Sequence, residues 1–336
     1  MSKRKLFLAG FLFVSLVSCY RPVPSQSEFI LNTFCTITLY DEGKSRVYRE
    51  IFSRLREIEN RMSVYVEGSD LDRINRAAGD KPVTVNADVF EVIEKAVRYA
   101  EISGGAFDPS VGPLVSLWDI SGECPRVPAP EEIEAILPLI NWRDVELNRG
   151  NRSVFLKKPG MALDLGAVAK GYAADEAAAI IKKAGIPRAV IDLGGNILTV
   201  GEKKDNSLWK IGIQNPLEGR GEYIGIVQVK EQTVVTSGVY ERFFIEDGER
   251  YHHILSTADG YPVRNGLLSV SIITDRSADG DALSTSAFAL GYERGRKLIE
   301  SLEGAGGIFV FEDRTVRLTQ GVNFDLSDNS YRIAAD

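Results

Sequence analysis

Two kinds of apolar pattern follow one another irregularly along the chain, and this order limits the folds that it can adopt. Residues 29–40 alternate between apolar and polar side chains, as in a strand with one buried face. Residues 47–62 and 87–102 instead place apolar side chains three or four positions apart, which predicts amphipathic helices. Further helices are predicted at residues 131–137, 170–183 and 282–302, and further strands at 189–193, 209–214, 222–229, 241–246, 307–311 and 315–318. The irregular alternation favours an α+β fold over a doubly wound parallel sheet, and the lack of repeats or internal linkers in the sequence favours a single compact unit.

The first 18 residues have the layout of a secretory signal. A basic start precedes an apolar run that ends at Val17 and is too short to span a membrane. With the next two residues, Ser18 and Cys19, the run resembles a bacterial lipobox, in which the cysteine is acylated; an ordinary signal peptide that ends near a cysteine is the alternative. We therefore expect an exported protein that Cys19 anchors by lipid to a bacterial membrane, on its periplasmic side. The predicted divisions are a signal at residues 1–18, a tether at 19–28 and one domain at 29–336.

The chain is acidic, which limits its partners. Its formal net charge is −7, and loss of the three basic residues of the signal changes this to about −10. A protein without a basic block binds nucleic acids and anionic membranes poorly. We expect no nucleic-acid partner, and contact with a membrane through the lipid anchor only.

The two histidines and one pair of a carboxylate and a hydroxyl are the first candidates for chemistry. His252 and His253 are adjacent, and Asp281 and Thr285 follow, four residues apart. Imidazole titrates near neutral pH, although a lone histidine is often a core residue. Residues four apart share a helix face, so a carboxylate and a hydroxyl project together there and suit Mg²⁺. The alternative is that Asp281 only caps the N-terminus of a helix.

Three glycine-containing segments are candidates for ligand-binding loops. Residues 162–172 run from a strand through Gly166 into a helix that carries Lys170, which would present backbone N–H groups to an anion. The Walker and dinucleotide fingerprints are absent. A second strand runs into Gly194 and Gly195, so two backbone loops would flank one diphosphate. Around Asp108, turn-forming residues surround a phenylalanine, and the glycines would let the backbone approach a ligand closely. A tight turn between two helices, capped by Asp108, is the simpler interpretation.

Two more segments complete a pattern that resembles a known family. Residues 236–240 contain Ser237 and Gly238, and residues 251–262 contain His253 and Thr257. Together with the segments above and in the same order, they resemble the FAD:protein FMN transferase (ApbE-like) family from about residue 29 to 318. The matching segments are Gly105-Ala-Phe-Asp-Pro109, Leu163 to Tyr172, Asp192-Leu-Gly-Gly195, Thr236-Ser-Gly238 with Tyr240, His253-Ile254, Thr257 with Gly260-Tyr-Pro262, and Asp281 with Thr285. The resemblance implies a T-fold-like mixed sheet packed with helices.

The resemblance also implies an activity and roles for single residues. The family moves FMN from FAD to a serine or threonine of a partner protein, with Mg²⁺, and releases AMP. It implies a metal bound by Asp281, Thr285 and the backbone carbonyl of Ala167, with His253 as proton acceptor. Lys170 would stabilise charge on the leaving AMP, and Tyr65 would stack on FAD. The implied FAD-binding set is Tyr65, Asp108, Gly166, Lys170, Gly194, Gly195, Ser237, Gly238 and Thr257.

The sequence departs from the family pattern in places, and two other functions stay open. Leu31-Asn32-Thr33 occupies the position of the family's Met-Gly-Thr. Asp279 is a further candidate metal ligand, and Asp259 is a candidate for the role of the aspartate that usually follows His-Ile in the family. An FAD pyrophosphatase would use the same cleavage with water as acceptor. A periplasmic flavin-binding lipoprotein would bind FAD without chemistry. As a transferase, the protein would modify a subunit of an exported redox complex.

Overall fold

The computed structural model describes residues 25–41 and 45–334, so the predicted signal peptide and Cys19 lie outside the described part of the chain. The α-helices of that part are α1 (Ser45–Met62), α2 (Asp70–Arg76), α3 (Ala87–Ile102), α4 (Gly112–Trp118), α5 (Pro130–Ile136), α6 (Ala169–Lys183) and α7 (Ser277–Glu300), and short 3-10 helices lie at Leu137–Leu139 and Trp142–Asp144. Its strands are β1 (Ser25–Ile30), β2 (Thr33–Leu39), β3 (Val83–Thr84), β4 (Val145–Asn148), β5 (Ser153–Leu156), β6 (Ala189–Leu193), β7 (Asn196–Val200), β8 (Trp209–Gln214), β9 (Tyr223–Val229), β10 (Thr233–Gly238), β11 (Phe243–Glu246), β12 (Glu249–His252), β13 (Leu267–Thr274), β14 (Gly306–Phe311), β15 (Thr315–Leu318), β16 (Phe324–Leu326) and β17 (Arg332–Ile333).

A nine-stranded sheet organises the fold. Its strand order is β1-β2-β6-β7-β10-β13-β14-β15-β17, and its neighbours are antiparallel except for β15 and β17. Side chains alternate across this sheet, so Phe309 enters one core cluster while Ile308 and Val310 enter another. Helices α1, α6 and α7 form the first cluster with the sheet, and strands β8, β9 and β16 cover the opposite face. The predicted α+β class is confirmed.

The amphipathic helices form where the apolar spacing predicts them. In α1 the residues Ile51, Leu55, Ile58 and Met62 are buried against the sheet and α6. Burial of each such side chain contributes about 1.5–3 kcal/mol, so this face stabilises the helix in its position. In the described part of the chain, no helix combines the length and apolar character needed to cross a bilayer.

The first predicted strand is wrong as a single element, because residues 25–39 form a hairpin. Leu31 and Asn32 both have φ of 56°, which is the conformation of a tight turn that reverses the chain. Leu31 is an unusual residue at positive φ, so the sequence carries little turn signal there. Strand β1 also begins at Ser25, so the last four residues of the predicted tether lie in the sheet.

The start of α7 also differs from the prediction. This helix begins at Ser277 because Asp175 of α6 accepts hydrogen bonds from the N–H groups of Ser277 and Ala278, at 2.9 and 3.1 Å. Asp175 therefore satisfies donors that a helix start leaves unpaired. The interpretation of Asp281 as the helix cap is wrong, since Asp281 lies one turn inside the helix.

Candidate active site

The front of α7 brings the predicted metal-binding pair beside α6. Asp281 is 4% exposed, and its Oδ2 accepts a hydrogen bond from the N–H of Gly171 at 2.9 Å. Its Oδ1 lies 3.6 Å from Nζ of Lys170 and forms no hydrogen bond with the described residues. One turn later, Oγ1 of Thr285 lies 3.2 Å from Oγ of Ser237 on β10. A buried carboxylate, a lysine and hydroxyls thus meet from three elements.

A glycine makes this meeting of α6 and α7 geometrically possible. A Cβ atom on Gly171 would lie 2.2 Å from the carbonyl oxygen of Ser277, well inside van der Waals contact. The N–H of Gly171 therefore reaches Asp281 only because the two helix starts approach this closely. The lysine beside it is fixed too, since Nζ of Lys170 donates to the carbonyl of Gly166 at 3.0 Å.

The loop that enters α6 holds a carboxylate that the sequence reasoning did not single out. Oδ1 of Asp164 accepts a hydrogen bond from the N–H of Gly166 at 2.7 Å, and this bond shapes the turn that leads to Ala167. Burial raises the pKa of Asp164, while the charges of Arg242 and Lys170 act in the opposite direction. The aspartate precedes Gly166 by two residues, a spacing typical of aspartate-stabilised turns that would have identified it.

The predicted metal-binding groups suit a hard cation whose remaining coordination positions are filled by water or phosphate. Among the described residues, no group of three or more His, Cys, Asp or Glu side chains has a metal-binding arrangement. The donors at the front of α7 are instead one carboxylate oxygen without a hydrogen bond and one hydroxyl. The predicted third ligand, the carbonyl of Ala167, directly follows Gly166, whose own carbonyl accepts from Nζ of Lys170. Mg²⁺ is usually bound by one or two carboxylates plus substrate phosphates, so this donor set fits Mg²⁺.

The two histidines have different environments. His252 is buried, its Nε2 donates to the carbonyl of Val263 at 2.9 Å, and its Nδ1 accepts from the N–H of Ile254 at 3.3 Å. In His253 the Nδ1 lies 3.2 Å from the carbonyl of Arg242, which only accepts, so Nδ1 carries the proton. The Nε2 of His253 then has an open lone pair and no partner among the described residues. His252 is structural, and His253 has the arrangement of a base.

Electrostatics keep the ring of His253 neutral. Desolvation, together with the nearby positive charges of Arg242 and Lys170, lowers the pKa of His253 to about 3. A neutral imidazole is the form that accepts a proton. The charge of Lys170 thus acts on His253, although the two residues are distant from each other in the sequence.

The second glycine loop lies against the tip of the β1–β2 hairpin. Gly194 and Gly195 have φ of 66° and 90°, and the N–H of Gly195 donates to Oδ1 of Asp192 at 2.9 Å. A Cβ atom on Gly194 would lie 2.0 Å from Oγ1 of Thr33. The segment that departs from the family pattern, Leu31-Asn32-Thr33, therefore packs directly against a loop predicted to bind FAD.

The remaining predicted FAD-binding residues frame the loop between α3 and α4. Both carboxylate oxygens of Asp108 accept hydrogen bonds within the protein, from Ser110 and from the N–H of Trp142. This arrangement makes Asp108 an organiser of the loop. Oγ1 of Thr257 donates to the carbonyl of Gly105 at 2.7 Å. This bond connects residues 251–262, which contain both histidines, to the loop between α3 and α4.

Three other predicted residues have clear positions. Tyr65 is 72% exposed, so its ring is available for stacking. Gly238 ends β10 beside the ring of Tyr240, which a Cβ atom would approach to 2.6 Å. Asp279 binds Lys95 and the hydroxyl of Tyr99 on α3, and so its carboxylate is engaged away from Asp281.

Asp259, the other carboxylate left open, lies in an exposed turn and accepts from the N–H of Tyr261 at 3.1 Å. Besides Asp164, two residues that the sequence reasoning missed belong to the site or support it: Arg242, whose carbonyl holds His253, and Asp175, which fixes the start of α7. Neither belongs to a local pattern that would identify it, because the residues they act on are brought near only by the fold.

Comparisons with known proteins agree on one family. The ApbE family model matches residues 31–309. The chain is 36% identical to an FAD:protein FMN transferase of Treponema pallidum over 89% of this chain and 87% of that protein. It is 38% identical to one of Klebsiella pneumoniae, over 93% and 97%.

Solved structures give the same result. The ApbE protein of Thermotoga maritima shares 32% identity with a TM-score of 0.80, and the flavin transferase ApbE of Vibrio cholerae shares 26% with a TM-score of 0.75. The matches cover 91% of this chain and 97% of each of those chains.

Proposed function

Because the chain belongs to the ApbE family, we propose that it is a Mg²⁺-dependent enzyme that transfers FMN from FAD to a serine or threonine hydroxyl of a partner protein. The relatives from Treponema pallidum and Klebsiella pneumoniae both carry the name FAD:protein FMN transferase. The observation that carries the proposal is the convergence of Asp281, Thr285 and Lys170 at the front of α7. AMP is the other product.

The proposed metal-binding groups are Asp281, Thr285 and the backbone carbonyl of Ala167. A divalent cation bound there would neutralise part of the charge on the FAD diphosphate. Lys170 adds a positive charge whose position is fixed by its bond to the carbonyl of Gly166. The positive end of the helix dipole at the start of α6 favours the same anion, whereas the N–H of Gly195 already donates to Asp192. The chain's own residues thus bind and orient the diphosphate.

The transfer step needs a proton acceptor, and His253 is the proposed one. The acceptor hydroxyl oxygen forms a new bond to the phosphorus of the FMN moiety, and the bond from that phosphorus to the bridging oxygen breaks. The bridging oxygen leaves with AMP, and the hydroxyl proton goes to Nε2 of His253. Desolvation is the largest cause of the pKa of about 3, and the charges of Arg242 and Lys170 lower the pKa further. An anion bound beside these two side chains offsets the effect of their charges.

FAD pyrophosphatase activity is the second candidate, and the exposure of Tyr65 favours it. A side chain that is 72% exposed does not by itself exclude water from the phosphates. Water would then take the place of the protein hydroxyl, with the same bond broken and the same proton acceptor. The two reactions differ only in the nucleophile.

One assay separates the three possible functions. The purified protein is incubated with FAD and Mg²⁺, with and without an exported redox subunit, and AMP and covalent flavin are measured by chromatography and mass spectrometry. AMP formation that requires the acceptor, with an FMN mass added to it, supports the transferase. AMP formed with water alone supports the pyrophosphatase. Bound FAD without any AMP would contradict both enzymes and support a carrier.

We propose that a lipid on Cys19 anchors the exported protein to a bacterial membrane, on its periplasmic side. Strand β1 begins at Ser25, six residues after that cysteine. Six extended residues span about 20 Å at most. An anchor on Cys19 would therefore hold the β1 edge of the sheet close to the lipid surface, where membrane-bound redox subunits are accessible. Substitution of Cys19 by alanine should release the protein from the membrane fraction.

A further inference from the structure

Arg242 occupies a position next to the proposed base that is fixed by the backbone. It precedes β11 by one residue, and its carbonyl accepts hydrogen bonds from both the N–H and the Nδ1–H of His253, at 3.1 and 3.2 Å. The residue is partly buried. Any movement of this backbone would therefore move the ring of His253 as well.

The side chain of Arg242 differs from those of the arginines around it. Arg264 pairs with Glu249, Arg220 pairs with Glu241, and Arg250 lies over the ring of Phe243 at 4.4 Å. Within residues 25–41 and 45–334, the guanidinium of Arg242 forms no ion pair or hydrogen bond. A guanidinium whose five donors have no protein partner is available to bind an anion.

The charge of Arg242 acts on the candidate site together with that of α6. It opposes the burial that raises the pKa of Asp164 and Tyr65, and it contributes to the low pKa of His253. Lys170 acts on Asp164 and His253 as well. Two positive side chains from different elements therefore act on the same residues, Asp164 and His253. The ammonium of Lys170 is anchored to the carbonyl of Gly166, and the guanidinium of Arg242 has no partner among the described residues.

We propose that the guanidinium of Arg242 binds a phosphate group of FAD as a second cation beside Lys170. The inference rests on the proposed function, because it assigns this role at the same site. A planar guanidinium donates two parallel hydrogen bonds to phosphate oxygens, which an ammonium cannot do. Arg242 thereby orients the diphosphate while its backbone carbonyl orients His253, so one residue couples substrate position to the proposed proton acceptor.

Flavin binding tests the assignment, with riboflavin as the probe that lacks phosphate. Affinities of FAD and riboflavin are measured by flavin fluorescence with Mg²⁺ for the wild type, Arg242→Gln, Arg242→Met and Arg242→Lys. We expect the Kd of FAD to rise about 10-fold or more in the Gln and Met variants, with riboflavin unchanged and partial rescue by lysine. Arg250→Gln, which removes the same charge from the same hairpin, should leave both affinities unchanged.

Two results would overturn the assignment. An unchanged Kd of FAD in the folded Gln and Met variants would exclude a phosphate contact. An equal loss of FAD and riboflavin affinity would indicate a structural role for the residue. Failure of the wild type itself to bind FAD would instead contradict the proposed function, so the two failures are distinguishable. Circular dichroism melting of each variant establishes that it folds.

Discussion

The candidate site has two halves that are built differently. The helical half, at the starts of α6 and α7, lies in the main core and is held by buried bonds and a close glycine contact. The hairpin half, which carries His253 next to β11 and β12, is largely exposed, and His253 depends on two bonds to one backbone carbonyl. Substitutions in the helical half should therefore alter both the binding of the cation and diphosphate and the stability of the protein. Substitution of His253 in the hairpin half should alter catalysis with little effect on the fold.

The largest expected effect is in the helical half, for Asp281→Asn. The amide oxygen still accepts from the N–H of Gly171, so the helix contact survives while the charge is lost. We expect the rate of AMP formation to fall about 10³-fold or more, because a bound cation contributes several kcal/mol to stabilising transition-state charge. Asp279→Asn is the matched control, since this carboxylate binds Lys95 and Tyr99. Equal rates for the two variants would contradict the assignment.

The next effect is in the hairpin half, for His253→Gln. Loss of the base should lower the rate of FMN transfer about 10²-fold or more, since general base catalysis contributes about 10²–10⁴-fold. The affinity for FAD and the melting temperature should stay close to the wild type. A variant that melts early or no longer binds FAD would show that His253 supports the fold, and the distinction between the halves would fail.

Gly171→Ala tests the packing of the helical half. The added Cβ would meet the carbonyl of Ser277 at 2.2 Å, so α6 and α7 must separate. Overpacking of this kind costs about 1–3 kcal/mol, and we expect that decrease in the free energy of unfolding, measured with urea. Gly219→Ala is the control, because nothing lies within 4 Å of the position that its Cβ atom would take. A stable Gly171→Ala protein with full activity would contradict the close contact.

The smallest effect concerns the pH dependence of stability. Burial lowers the pKa of His252 to about 4, against an ordinary value of about 6.5. Below pH 6.5 the unfolded chain gains a proton that the folded chain does not bind, so the free energy of unfolding decreases as pH falls. The slope is at most about 1.4 kcal/mol per pH unit for this histidine. Urea titrations between about pH 6.5 and 5 give the free energy of unfolding at each pH, and this energy should change less steeply with pH in His252→Gln than in the wild type. The same pH dependence in both proteins would contradict a neutral, buried His252.

The sequence predicts the helical half better than the hairpin half, for physical reasons. The four-residue step from Asp281 to Thr285 and the glycines before and after Lys170 are local patterns, and the structure brings them together. The amphipathic face of α1 is predicted equally well, because the spacing of apolar residues within the segment defines this face whichever elements pack against it. Elements of this kind are fixed by short-range geometry.

What the sequence does not predict depends on contacts between distant residues. The start of α7 lies at Ser277 rather than near Ala282 because Asp175, more than one hundred residues earlier, caps it. The β1–β2 turn at Leu31 forms without a glycine, against a loop that only the fold brings near. The sequence does not identify Arg242, because the feature that marks it is a guanidinium without a partner among the described residues. No sequence pattern predicts the absence of such a partner.

The central claim is that a divalent cation binds at the front of α7, and crystals grown with FAD and Mn²⁺ test it most directly. Anomalous diffraction should show one Mn²⁺ within about 2.5 Å of Asp281, Thr285 and the carbonyl of Ala167, and no such peak in Asp281→Asn. FAD bound with its diphosphate against α6 but without Mn²⁺ at these oxygens would contradict the claim.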